Sequence, residues 1–269
     1  MIEIYWILAY LVLGGFVGLF AGLFGIGGGG IMVPVFTTLF ALQGVATEHV
    51  VHMALATSMG AIIMTSMASL RAHQKHGAIR WDIVRSITPG VLLGTFGGAV
   101  IAAYIPTLPL AIFFSVFMAY VSVQMWLNIK PKPSRQLPSA MGLTGVGGVI
   151  GAVSSFVAIG GGSLSVPFMT WCNVPIQKAI ATSAAIGLPI ALAGTLGYLV
   201  SGWGVTGLPD YSFGYIYLPA VVLVSLVSSF TAPVGAKWAH GLPVTTLKRL
   251  FAGVLILLSL KMLHTILTA

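Results

Sequence analysis

Long apolar runs alternate along the chain with short polar breaks. Eight of them, at about 3 to 23, 51 to 70, 83 to 104, 110 to 128, 139 to 159, 178 to 200, 215 to 236 and 249 to 267, match the roughly 20 residues that an α-helix needs to cross a hydrocarbon core. Two shorter runs, near 31 to 42 and 164 to 173, each follow a glycine cluster and begin near a proline. At about 1.5 Å per residue, ten to twelve residues cover only half a hydrocarbon core, so these segments are predicted to be half-helices.

The chain also matches itself. Phe24-Gly25-Ile26-Gly27-Gly28-Gly29-Gly30-Ile31-Met32-Val33-Pro34 aligns with Val157-Ala158-Ile159-Gly160-Gly161-Gly162-Ser163-Leu164-Ser165-Val166-Pro167 at a shift of 133 residues. Gly14, Gly15 and Gly18 fall on Gly147, Gly148 and Gly151 at the same shift, and Ala54-Leu55-Ala56-Thr57-Ser58 matches Ala179-Ile180-Ala181-Thr182-Ser183 after a shorter loop. Near the ends of the halves, Ile105-Pro106 and Met125 correspond to Leu242-Pro243 and Met262. The pattern divides the chain into an N-terminal repeat (1–129), a Pro-rich charged linker (130–138) and a C-terminal repeat (139–269).

Composition sets the solvent. Only 6% of the 269 residues are charged while 58% are hydrophobic, and the mean hydropathy is +1.04. Ordinary soluble domains carry about 25% charged residues, so this chain is expected to be a polytopic membrane protein. Its net charge of +8 comes from Lys and Arg spread over short loops, without a basic face interleaved with aromatics, which argues against a nucleic-acid partner. Cations cluster at Arg71, Lys75, Arg80 and Arg85 and again at Lys130, Lys132 and Arg135, with two spans between, so both loops are expected in the cytoplasm. If each long-plus-short pair returns to its starting side, Lys178, Lys237, Lys248 and Arg249 are inside as well, with Lys261 the exception. The halves then start on opposite sides, which makes the repeats inverted, an arrangement found in many secondary transporters. The segment Met1 to Trp6 lacks a positive n-region, so the first helix is expected to be retained. Trp6, Trp81, Trp126, Trp171, Trp203 and Trp238 fall mostly at predicted helix ends, as in an interfacial belt.

Chemistry concentrates at the glycine clusters. A helix broken at membrane depth leaves backbone N–H and C=O groups free, which is tolerable only inside protein or beside water. The half-helix that follows begins with free N–H groups and the positive end of its dipole, a seat for an anion that glycine lets approach closely. Gly27, Gly28, Gly29 and Gly30 and their counterparts Gly160, Gly161, Gly162 and Ser163 are therefore candidate substrate-binding residues, whereas Gly14, Gly15, Gly18, Gly147, Gly148 and Gly151 read as close-crossing positions. The paired hydroxyls of Thr57, Ser58, Thr182 and Ser183 can donate to anion oxygens or bond back to their own helices. Ser154 and Ser155 flank the second break. No Lys-Ser or Lys-Thr follows the glycines, which argues against a nucleotide loop.

Among the four acids, Asp82 reads as a helix N-cap and Glu3 and Asp210 as outer-loop or helix-end residues. Glu48 and His52 are candidates for a gate or coupling site, with a solvated cap as the other reading of Glu48. Lys178, at a helix start beside the second cluster, could draw anions or simply anchor the cytoplasmic side. His49 and His52 have metal-ligand spacing without further ligands, and the single cysteine, Cys172, excludes an intrachain disulfide and a cysteine-based metal cluster. No metal or cofactor is expected, and no buried carboxylate or nucleophile–base pair suggests an enzyme.

Carried on Gly22-Leu23-Phe24-Gly25-Ile26-Gly27-Gly28-Gly29-Gly30-Ile31-Met32-Val33-Pro34, its copy at Ala158 to Pro167 and the doubled Ala-x-Ala-Thr-Ser, the chain resembles the sulfite exporter TauE/SafE family of membrane transporters. The resemblance covers essentially the whole chain. It implies a sulfur-containing anion as substrate, sulfite or an organosulfonate such as sulfoacetate, and export across a bacterial inner membrane. The second copy departs at Ala158 (for Gly25) and Ser163 (for Gly30), which makes unequal half-sites an expectation. The expected architecture is an all-α integral membrane protein of two inverted repeats, about eight long helices and two half-helices. An anion channel or an uptake permease for a different small anion is the alternative function. The coupling ion, proton or sodium, and any homo-oligomer stay open.

Overall fold

A computed structural model describes residues 3–24, 28–75, 77–127, 133–239 and 244–268. Among these residues the chain forms α1 (Ile4–Phe24), α2 (Gly29–Leu42), α3 (Thr47–Lys75), α4 (Trp81–Tyr104) and α5 (Thr107–Trp126), then α6 (Ala140–Val157), α7 (Gly162–Trp171), α8 (Ile176–Ser201), α9 (Leu218–Ala239) and α10 (Val244–Thr268). Eight are long and apolar enough to cross a membrane, and α2 and α7 are the two short helices. The one unexpected element is a hairpin of β1 (Ser212–Phe213) and β2 (Ile216–Tyr217), antiparallel, with Ser212 opposite Tyr217. The apolar run at 215 to 236 thus divides: Tyr215, Ile216 and Tyr217 are buried in the hairpin and the helix starts at Leu218.

The internal match survives in backbone detail. Each short helix starts after a left-handed glycine, Gly28 at φ 74° and ψ −7°, and Gly161 at φ 81° and ψ −16°. Each also ends in a Schellman turn. Val45 N–H donates to the Phe40 carbonyl and Val174 N–H to that of Met169, both at 3.0 Å, with left-handed Gly44 and Asn173 between. Proline stands five residues into each short helix, at Pro34 and Pro167.

The two halves run in opposite directions. His52, in the second turn of α3, meets the last carbonyls of α4, whereas Thr182, in the second turn of α8, meets the residue that precedes α4. The starts of α3 and α8 therefore lie at opposite ends of one helix. These two helices form the centre, with 78% of the α3 span and 61% of the α8 span buried against at most 39% in the others. Around them α4 packs on α6 and α1 on α9 through glycine. A side chain at Gly147 or Gly151 would strike the Ile87 or Val91 carbonyl of α4, and one at Gly14 or Gly18 the Val224 or Ser228 carbonyl of α9. Those glycines serve close backbone crossing.

Candidate functional site

Both breaks meet between α3 and α8. A Cβ at Gly29 would collide with the carbonyl oxygen of Ala158, the left-handed residue (φ 47°) that ends α6. Ile62 of α3 spans the junction, its Cδ1 3.1 Å from the Cβ position of Gly29 and its Cγ2 3.6 Å from that of Gly160. On the other side a Cβ at Gly187 of α8 would lie 2.8 Å from the Gly160 carbonyl and 3.3 Å from the Ser66 hydroxyl. Gly28, Gly29, Gly30 and Gly161 are buried, while Gly160, Gly162 and Ser163 are partly exposed. Gly27 lies outside the described residues.

Neither short helix has a side-chain N-cap. In α7 the Leu164 and Ser165 N–H groups fold back to the Gly161 carbonyl at 3.1 and 2.8 Å, and Ile31 and Met32 in α2 return to Gly28 at 3.1 Å. The amides ahead of those turns and the positive helix ends lie beside the junction, where together they favour negative charge.

The paired hydroxyls divide in two. Thr57 Oγ1 accepts the Tyr217 N–H at 3.1 Å, and its counterpart Thr182 Oγ1 accepts the Arg80 N–H at 3.0 Å. Each threonine ties its own half to the segment entering a long helix of the other half. Ser183 shares a 2.7 Å hydrogen bond with Ser165, whose hydroxyl lies 2.8 Å from the Gly161 carbonyl, so Ser183 reaches the second break through one neighbour. Ser58, its counterpart, is fully buried without a partner, because Met32 stands where α7 has Ser165. The Ser154 and Ser163 hydroxyl oxygens are likewise buried and unpartnered.

The remaining candidates lie away from the junction. Glu48 is in the first turn of α3 with its side chain 77% exposed, 3.3 Å from the His49 ring. Lys178 is exposed in the first turn of α8. His52 is buried, with both ring nitrogens against backbone carbonyls, so it has no nitrogen free for a metal. Asp82 departs from the expected cap: the helix already begins at Trp81, and the carboxylate in its first turn pairs with Arg80. Trp81, Trp126, Trp171 and Trp203 all keep large exposed areas at or near helix ends, as the belt requires.

Ile62, Ser66, Ser165 and Gly187 were not singled out from sequence. Continuing the Ala-x-Ala-Thr-Ser register would have paired Ile62 with Gly187, a large residue in one half against none in the other. Open cavities lie elsewhere, at the hairpin end. One of about 170 Å³ is lined by Glu3, Trp6, Gln43, Asp210, Tyr211 and Tyr217, and one of about 330 Å³ by residues such as Trp203 and Phe213. Neither cavity is lined by the junction, where glycines bring the backbones of the two breaks together.

The family model for the sulfite exporter TauE/SafE family matches residues 10–262. A "Probable membrane transporter protein" of Haemophilus influenzae is 38% identical over 258 residues, covering 95% of this chain and 97% of the relative. The "Probable membrane transporter protein MJ0441" of Methanocaldococcus jannaschii is 25% identical over 97% of both chains. YdhB of Bacillus subtilis, named in the same way, is 24% identical over 86% of this chain and 89% of its own. No solved structure matches the chain.

Proposed function

The chain belongs to the sulfite exporter TauE/SafE family of membrane transporters, and from that premise we propose that it is a secondary transporter of small sulfur-containing anions, sulfite or an organosulfonate such as sulfoacetate, which it exports across the bacterial inner membrane. One observation carries this reading: two uncapped half-helices from opposed repeats begin at one junction between α3 and α8. Each helix start acts as roughly +0.5 elementary charge, and an anion at such an end gains about 0.3–1 kcal/mol in exposed sites and up to about 2 kcal/mol in partly buried ones. Positive potential supplied this way needs no buried Lys or Arg, which suits an anion that must also leave.

In this reading Gly28, Gly29 and Gly30 and Gly160, Gly161, Gly162 and Ser163 form the seat through backbone amides, with Gly27 assigned by sequence alone. The hydroxyls of Ser183, Ser165 and Ser58 serve as reserve donors. Thr57 and Thr182 position the seat, since each oxygen already accepts a backbone N–H across the halves. Lys178 raises anion concentration at the end where α7 finishes. The repeats, 1–129 and 139–269, rock about the junction. Isothermal calorimetry on purified protein tests the site: sulfite or sulfoacetate should bind, and Ser183→Ala should weaken binding about tenfold, the loss expected for one hydrogen bond to a charged group. Unchanged affinity would remove that hydroxyl from the seat.

The Arg71 to Arg85 and linker regions are assigned to the cytoplasm. Gln74 and Gln136 are exposed, and cysteines placed there should resist an impermeant thiol reagent added to intact cells. Labelling of both would reverse the orientation.

A further inference from the structure

His52 has no role in the anion seat, yet it is 3% exposed and touches three parts of the molecule. Its Nδ1 lies 3.0 Å from the Glu48 carbonyl, and its Nε2 lies 3.1 Å from that of Ala102 and 3.0 Å from that of Ile105. A neutral imidazole has one N–H and one lone pair. Either tautomer would aim that lone pair at a carbonyl oxygen about 3 Å away, whereas the imidazolium donates at both nitrogens. Ala102 and Ile105 close the C-terminal end of α4, where the last carbonyls and the negative dipole end favour a cation. The ring also stacks on Tyr215, centroids 5.3 Å apart at 28°, which suits a charged ring.

The groups that face it can be named by element. From α3 come Glu48 and His49, paired with each other at 3.3 Å. The segment before α9 supplies Tyr215, also 5.9 Å from the His49 ring. The α4–α5 corner offers its backbone carbonyls and Thr107, whose hydroxyl donates to the same Glu48 carbonyl at 2.7 Å. Burial opposes the charge, while three carbonyls, a helix end and an aromatic face favour it. The repeat register puts Gln177 at the equivalent place in α8, where it is exposed and cannot titrate.

We propose that His52 is the proton-binding group of a latch at the hairpin end, tightening the contact of α3 with the α4–α5 corner and Tyr215 when protonated and loosening it when neutral, when one ring nitrogen turns a lone pair toward a carbonyl oxygen. Resting on the transporter reading, this makes the proton, not sodium, the coupling ion, and it places coupling at one end of the molecule. The latch is tight while the ring holds both protons and loosens as pH rises through its titration.

The test needs no transport substrate, so it stands or falls apart from the choice of anion. In a Cys172→Ser background, Ile216→Cys puts a thiol on the buried hairpin and Trp203→Cys an exposed control on the same loop. Labelling by an impermeant maleimide, taken as the Ile216-to-Trp203 ratio to cancel thiol ionisation, is followed from about pH 5 to 8, the range of histidine titration. The ratio should rise several-fold with pH, and His52→Gln should make it flat. Nitrogen-15 NMR of labelled imidazoles, with His52 assigned by its loss in His52→Gln, should show both nitrogens protonated at the acid end and one at the alkaline end. A flat ratio with His52 intact, a rise that persists in His52→Gln, or a ring that stays neutral throughout would each overturn the proposal.

Discussion

The two short helices start from near-identical sequence and finish in different surroundings. In α2 nine residues from Gly29 to Phe40 are buried, and α10 packs along it; in α7 only Ser165 and Met169 are buried, and no comparable packing joins it to α5. One position at which the copies differ lies at this contact. Gly30 admits Leu255 of α10, 3.0 Å from where its Cβ would lie, and Met118 of α5 at 3.3 Å, whereas its counterpart Ser163 keeps a side chain and partial exposure. One half-helix is thus enclosed while the other stays partly exposed.

The strongest way to break the comparison is to fill both breaks at once. Gly28→Leu and Gly161→Leu demand a left-handed backbone of a branched residue and meet Val17 at 2.6 Å and Ile190 at 2.7 Å. Each should abolish transport in reconstituted vesicles while the protein still inserts. Wild-type flux in both would reduce the breaks to packing.

Exchanging the unequal position sharpens the contrast. Gly30→Ser must displace Leu255 or Met118 and should cost about 1–3 kcal/mol by overpacking, while Ser163→Gly, which removes a hydroxyl without a partner, should change little. Thermal unfolding in detergent reads the difference, and equal shifts would contradict the account of the asymmetry.

Removing the cross-repeat ties should have a related but paired effect. Thr57→Val and Thr182→Val each strand a backbone N–H, at a cost of about 1–3 kcal/mol. The Thr57 change should be the larger, because its bond to Tyr217 is buried and that to Arg80 only partly so. The smallest contrast concerns stability in the serine pair: Ser183→Ala should lose about 1 kcal/mol with the Ser165 bond, and Ser58→Ala should stay within about 0.5 kcal/mol. Reversed ordering in either melting series would show that the pairs play other parts.

Most of the architecture was legible because lipid forces each span into a long apolar run, and the repeat exposed the two short ones. The glycine clusters pointed to breaks, with close helix crossing as the other reading, but not to which glycine takes the αL start, Gly28 in one copy and Gly161 in the other. Less legible was whatever depends on contact between halves. Thr57 and Thr182 looked alike as ligand donors, and nothing local shows that each oxygen faces an amide some hundred residues or more away. Tyr215 to Tyr217 read as the start of a helix because a buried hairpin strand and a helical turn have the same apolar composition. His52 stood out as ionisable, but its three carbonyl partners come from a turn of its own helix and from a corner 50 residues on.

The central claim, that this fold carries a sulfur-containing anion through a saturable site, is tested most directly by counterflow. Proteoliposomes preloaded with unlabelled sulfite or sulfoacetate should accumulate the labelled anion transiently, with uptake that saturates and disappears in Gly28→Leu. Flux that rises linearly without counterflow, or counterflow that Gly28→Leu leaves intact, would contradict it.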